Sequence, residues 1–181
     1  DAGWYHTLSE TGYTYDEGGP NNLVFFPLFP LIWHIAHVGV WGMSVLNTLF
    51  FATGFSILCS MYKPDTQNKL LWLSLPCVYF VFIPYTEALF FLLGTIAFYG
   101  IKNKKKLMVW VALFLLSLTR PTGVLLGPAF LAMSLLSYSN KTWHKSLLTY
   151  LTYLLPMALG MFLFFWYEYT VSGKWFVFFE I

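Results

Sequence analysis

From Leu23 to the C-terminus the chain is a succession of long apolar segments, and basic residues fall in every second gap between them. Lys63 and Lys69 occupy one gap, Lys102, Lys104, Lys105 and Lys106 the next, and Lys141 and Lys145 a third, so eight of the ten basic residues are segregated. The remaining gaps and the two ends hold Asp1, Glu10, Asp16, Glu17, Glu87, Glu168 and Glu180, which are seven of the eight acids. With 58% hydrophobic and 10% charged residues, the chain lies far from the roughly 25% charged composition of soluble domains. These features predict an all-α, polytopic helical membrane protein. The segments are unbroken rather than alternating, which excludes a transmembrane β-barrel built from strands of about 10 residues. By the positive-inside rule the lysine gaps are cytoplasmic and the acidic ends extracytoplasmic. The net charge of +2 carries no information about partners, and no nucleic-acid partner is expected.

Two regions follow, a polar first loop over residues 1–22 and a transmembrane region over 23–181. The predicted spans are Trp41–Tyr62, Leu70–Ile83, Thr86–Ile101, Leu107–Thr119, Thr122–Tyr138 and Leu147–Val171. Leu107–Thr119 would be about 20 Å long as a helix, short of about 30 Å of hydrocarbon. Fusing it into one kinked helix to Tyr138 would put two lysine groups on opposite sides, so a tight turn is expected at Arg120-Pro121-Thr122-Gly123. Pro27 and Pro30 interrupt Leu23–Gly39, which reads as an interfacial or re-entrant helix with Trp33 and Trp41 as headgroup anchors. Cys59 and Cys77 read as small core residues. Asn140-Lys141-Thr142 matches a glycosylation acceptor but falls on the cytoplasmic side. The chain opens on Asp1 and reads as a fragment whose preceding helix is missing.

Few residues can carry chemistry here. Asp1 is a carboxylate at the membrane–water boundary, where an acid is costly unless it pairs or reacts. Trp4, Tyr5, Tyr13 and Tyr15 offer flat faces for stacking a sugar, and they equally suit interface anchoring. Glu87 follows Pro84-Tyr85-Thr86 at a helix start. It either complements the helix dipole below a Thr86 cap or points into an outer cavity to hold a hydroxyl. Arg120, the only arginine, either snorkels at the interface or grips a phosphate bidentately. On the acidic side only Arg120 and Lys174 are strong cations. His34 and His37 lie three apart on one helical face, without a third ligand at helical spacing, so no metal is expected. No Walker loop, GxGxxG or GxSxG occurs, and no cofactor is expected.

Five motifs resemble one family. Asp1-Ala2-Gly3-Trp4-Tyr5, the Glu10-x-Gly12-Tyr13 element and Phe25-Phe26-Pro27-Leu28-Phe29-Pro30 resemble the first lumenal loop of the GPI mannosyltransferase II (PIG-V-like) family. Pro84-Tyr85-Thr86-Glu87-Ala88-Leu89-Phe90 and Leu118-Thr119-Arg120-Pro121-Thr122-Gly123 resemble two later motifs of that family, in the same order. The resemblance implies a multi-pass glycosyltransferase of GT-C architecture that takes sugar from a polyprenyl-phosphate donor such as dolichyl-phosphate mannose. It implies that Asp1 is the catalytic aspartate, that Glu87 and Arg120 face the same cavity, and that Glu10, Tyr13 and His34 contact substrate. Relatives often carry arginine where this chain has His34, so a phosphate contact there would be weaker and pH-dependent. The family's frequent tryptophan before the aspartate lies outside the chain, and the Gly-Trp-Tyr opening looks more like prokaryotic relatives. Family proteins are longer than this chain, which implies further helices on both sides.

The implied reaction is a single displacement at the sugar's anomeric carbon on the outer face, with inversion. Asp1 takes the acceptor hydroxyl's proton and Arg120 stabilises the departing lipid phosphate. The phosphate is already a competent leaving group, so a metal is not required. The partners are the lipid-linked donor, a glycan or glycolipid acceptor and the bilayer, in the plasma membrane of a prokaryote or the endoplasmic reticulum of a eukaryote. The rival expectation is a transporter or flippase of lipid-linked sugar. Transporters tend to place ionisable residues at the membrane midplane and to show repeats, whereas these acids cluster at helix ends and no repeat is visible.

Overall fold

The computed structural model describes residues 2–17, 21–126, 128–129 and 143–179. Among these the secondary structure is helical, without strands. The first loop is itself largely a helix, α1 (Ala2–Thr11), which corrects the reading of residues 1–22 as a polar loop. Thr7 and Thr11 turn their hydroxyls back onto the carbonyls of Gly3 and Thr7, which keeps these polar residues compatible with a helix. The helix stops at Gly12, whose φ of 76° is a left-handed conformation that glycine adopts without strain.

Pro27 introduces α2 (Leu28–Ala36), and Pro30 sits in its first turn, where a missing N–H costs nothing. α2 packs on α1 through Tyr5, Phe29 and Trp33. Trp33 is therefore buried, with its indole N–H donating to the Val38 carbonyl at 2.7 Å, and does not serve as the exposed anchor expected. Trp41, 88% exposed, is the freely placed tryptophan of the two.

α3 (Val40–Tyr62) is about 35 Å long at 1.5 Å per residue. Asp65 caps α4 (Thr66–Leu73), its Oδ1 accepting from the Asn68 N–H at 2.8 Å. The expected span Leu70–Ile83 is not one helix. Pro76 withdraws a donor and disfavours helix at Leu75, so α4 ends and a 3₁₀ turn at Pro76–Val81 carries the chain on. Cys77 is exposed on that turn and Cys59 is half-buried, so neither is a core residue as expected.

α5 (Glu87–Lys102) runs parallel to α3. Asn47 near the start of α3 bonds to Ile83 and Tyr85 just before α5, Gly54 faces Phe91 and Leu92, and Lys102 donates to the Met61 carbonyl. Residues 63–86 therefore return the chain to the end from which α3 set out, although in broken pieces. A tight turn through Lys104 (φ 56°) leads into α6 (Lys106–Ser117), antiparallel to α5 with Gly100 against Val109. A 3₁₀ turn over Pro121–Leu125 follows at the expected turn. Most of the expected span Thr122–Tyr138 lies outside the described residues.

α7 (Trp143–Ser172) runs parallel to α6 and carries Pro156 within it. Tyr153 and Met157 pack on Val109, Ala112 and Leu113, and further along Phe164 packs on Leu118 and Phe26. At Gly160 the two helices nearly touch, since a Cβ there would lie 2.0 Å from the Ser117 hydroxyl.

These contacts place Lys63 and Lys102–Lys106 at one end of the bundle. α1, α2, Glu87 and Arg120 lie at the other. Val40–Tyr62 and Leu151–Ser172 are long and apolar enough to cross a membrane. Only 22% and 28% of their most apolar windows are buried within the protein, unlike core helices of a soluble domain.

Candidate functional site

Asp1, the expected catalytic residue, lies outside the described residues. The helix that follows it brings Tyr5 to the end of the bundle opposite the lysines. Tyr5 is buried edge-on against Phe25 and Phe29, with ring centroids 5.1 and 5.2 Å away. Burial pushes its phenol above the ordinary value, while hydrogen bonding to Thr86 and the Arg120 charge pull it down and Glu87 adds to the rise. Tyr5, Thr86, Glu87 and Arg120 thus form one electrostatic neighbourhood, drawn from α1, the start of α5 and the residues after α6.

Its centre is an ion pair. Arg120 Nη1 donates to Glu87 Oε1 at 2.8 Å, with both side chains about a third exposed. An ion pair this accessible contributes at most about 1 kcal/mol to stability. Arg120, one of the two strong cations expected on the acidic side, is thus already faced by a carboxylate. The contact uses one guanidinium nitrogen, and among the described residues Nη2 and Nε make no hydrogen bond, so a second anion can share the group. Glu87 Oε2 is buried without a partner among the described residues. Thr86 is buried and precedes α5, yet its hydroxyl makes no capping bond, so the expected cap is absent.

Asn47 fixes this geometry and escaped the sequence reading. It lies fully buried in α3, and its Nδ2 donates to the carbonyls of both Ile83 and Tyr85. Those carbonyls flank Pro84 immediately before the turn that aims Glu87. The available signal was a lone amide side chain in the first half of an apolar helix.

The other expected substrate residues gather elsewhere. Tyr13 donates its hydroxyl to the Phe25 carbonyl at 2.8 Å and stacks edge-on with Tyr167; burial is the main cause of its raised pKa. Tyr13, Glu10 and His34 line an apolar groove of about 700 Å³ between α1, α2 and the end of α7. Glu10 and His34 also line an adjoining pocket of about 460 Å³ with His6 and His37. Glu87 and Arg120 line neither. The expected set thus divides into an ion-paired cluster and a groove. Among the described residues no Lys or Arg lines either cavity, so none of them supplies a permanent cation to a phosphate at His34.

Lys174, the second expected cation, is also paired, with Glu17 at 2.6 Å. The hydrogen bond from Lys174, and then its charge, holds the Glu17 carboxyl below its ordinary value. Glu168, expected among the outer acids, is wholly buried on α7; its Oε1 accepts from the Phe178 N–H at 3.0 Å. Among the described residues no three His, Cys, Asp or Glu side chains are placed to hold a metal.

Searches against protein-family models, curated proteins and solved structures found no match.

Proposed function

We propose that this chain is the catalytic part of a multi-pass membrane glycosyltransferase of GT-C type, moving a sugar, mannose first among candidates, from a polyprenyl-phosphate donor to an extracytoplasmic acceptor. The observation that carries the reading is the Glu87–Arg120 pair. Two helix ends 33 positions apart bring these groups together beside the buried Tyr5, on the helix that follows Asp1 and away from the lysines. The uneven charge of the two ends supports an extracytoplasmic position for this cluster.

In the proposed reaction the acceptor oxygen attacks the anomeric carbon while Asp1 takes its proton. The bond from that carbon to the phosphate oxygen breaks, and the electron pair leaves with the polyprenyl phosphate. Arg120 offers its unused N–H groups to the oxygen on which charge grows. Glu87 holds the guanidinium in place and keeps the resting site near neutrality.

The test uses the full-length protein in liposomes with labelled polyprenyl-phosphate mannose. Release of free polyprenyl phosphate is expected, and Asp1→Asn should slow it by about 10² to 10⁴, the usual contribution of a general base. Transfer of the intact lipid-linked sugar between leaflets without cleavage would instead establish the flippase reading.

A further inference from the structure

At the end of the bundle opposite the Glu87–Arg120 pair, α3 stops at Tyr62, α5 stops at Lys102 and α6 begins at Lys106. Lys63, Lys102, Lys104, Lys105 and Lys106 meet there, all of them exposed. Among the described residues none of the five forms an ion pair. The described pairs, His6–Glu10, Glu87–Arg120 and Glu17–Lys174, all lie at the other end. Asp65 is the acid nearest in sequence, and its Oδ1 already accepts the Asn68 N–H as the cap of α4. The backbone keeps these cations at the helix ends: Lys63 and Lys104 occupy left-handed turns (φ 47° and 56°), positions that glycine takes without strain. Two ammonium groups are folded back beside aromatic rings. Lys102 Nζ donates to the Met61 carbonyl and lies 5.4 Å from the Tyr62 ring, and Lys105 Nζ lies 5.8 Å from the Tyr99 ring. Lysine stems bent along the bundle beside tyrosines suit a membrane–water boundary rather than a freely solvated face.

We infer that this patch binds the headgroup of an anionic phospholipid of the cytoplasmic leaflet. Its phosphate sits among Lys63, Lys102, Lys104 and Lys105, and its chains lie beside the exposed Leu107 and Val111, one turn apart on α6. A cluster of unpaired lysines directly beyond a membrane-long helix favours a net negative lipid over a zwitterionic one, because the headgroup supplies the counter-charge that folding does not. A nucleic acid or an acidic protein would instead need ammonium groups extended into water, whereas Lys102 and Lys105 are bent onto the bundle. The inference rests on the membrane-spanning part of the proposed function and is independent of sugar transfer.

The experiment places the full-length protein in phosphatidylcholine nanodiscs that contain phosphatidylglycerol or phosphatidylcholine with the same photoactivatable diazirine chain, at equal mole fraction. After irradiation, labelled peptides are mapped by mass spectrometry. Phosphatidylglycerol label should exceed phosphatidylcholine label over residues 57–62 and 107–111, but not over Leu163–Tyr167 at the opposite end. Lys102→Gln/Lys105→Gln leaves four other lysines to hold the topology and should cut that excess about fivefold for each charge removed. Lys104→Gln/Lys106→Gln, whose side chains make no contact among the described residues, should act in the same direction, so a loss of folding at Lys102 cannot mimic the result. Lys174→Gln at the other end should leave the excess unchanged, and high salt should shrink it. Millimolar glycerol phosphate should not compete; competition would assign the patch to a soluble phosphate compound and overturn the lipid. Equal labelling by the two probes, or an excess indifferent to both double variants, would also overturn the inference. Binding is read without turnover, so a protein that prefers phosphatidylglycerol here but cleaves no donor keeps this patch and loses the transferase reading.

Discussion

Asn47 and Tyr85 stand 38 positions apart, and the Asn47 side-chain amide donates to the Tyr85 carbonyl at 2.9 Å. The same nitrogen also serves the Ile83 carbonyl. One buried residue of α3 thereby fixes the turn that presents Glu87 to Arg120.

Replacing Asn47 by Leu fills similar space but leaves the Tyr85 carbonyl without its donor and the Ile83 carbonyl with only the Tyr85 N–H. Each unsatisfied buried group costs about 1–3 kcal/mol, so Asn47→Leu should lower the thermal unfolding midpoint in detergent by several degrees. Asn47→Asp, which cannot donate when ionised, should be no better. A midpoint equal to wild type in both variants would show that the turn holds itself.

Gly160 predicts a second, unrelated weakness. A methyl group there would meet the Ser117 hydroxyl at 2.0 Å and the Phe114 carbonyl at 2.9 Å, so α6 and α7 must separate to admit it. Overpacking of this kind typically costs about 1–3 kcal/mol. Gly160→Ala should unfold at lower temperature, and adding Ser117→Gly should restore only part of the loss, because the backbone oxygen remains. Full stability in Gly160→Ala would mean the helices are farther apart than described.

The charge segregation is tested by labelling. Exposed Cys77 would confuse the readout, so both native cysteines are first changed to serine. In sealed cells an impermeant thiol reagent should modify a cysteine at Asp16 and spare one at Lys104. The reverse pattern would place the cluster on the cytoplasmic face.

The two long helices and the α5–α6 hairpin were legible because unbroken apolar runs bounded by lysines leave few alternatives. Leu70–Ile83 was misread because apolar composition does not register how far Pro76 disrupts a short span. α1 was missed for the opposite reason: its polar threonines hid a helix whose apolar residues, Tyr5 and Leu8, repeat only once. The individual residues of the site were visible, but their partners were not. Composition showed Arg120 and Lys174 as the strong cations of the acidic side but not which acids they meet; folding brings Glu87 to one and Glu17 to the other. Such pairings depend on which helix ends meet, and no local pattern encodes that.

The most direct test of the account is the kinetics of Arg120→Lys in the donor-cleavage assay. Lysine preserves the charge opposite Glu87 but loses the planar fork. If Arg120 holds the lipid phosphate as charge builds on the leaving oxygen, the substitution should cost about 1.5–3 kcal/mol, a fall of roughly ten- to more than a hundredfold in kcat/KM for the lipid donor. An Arg120→Lys enzyme with wild-type kcat/KM would contradict the account and leave Arg120 as half of a structural ion pair.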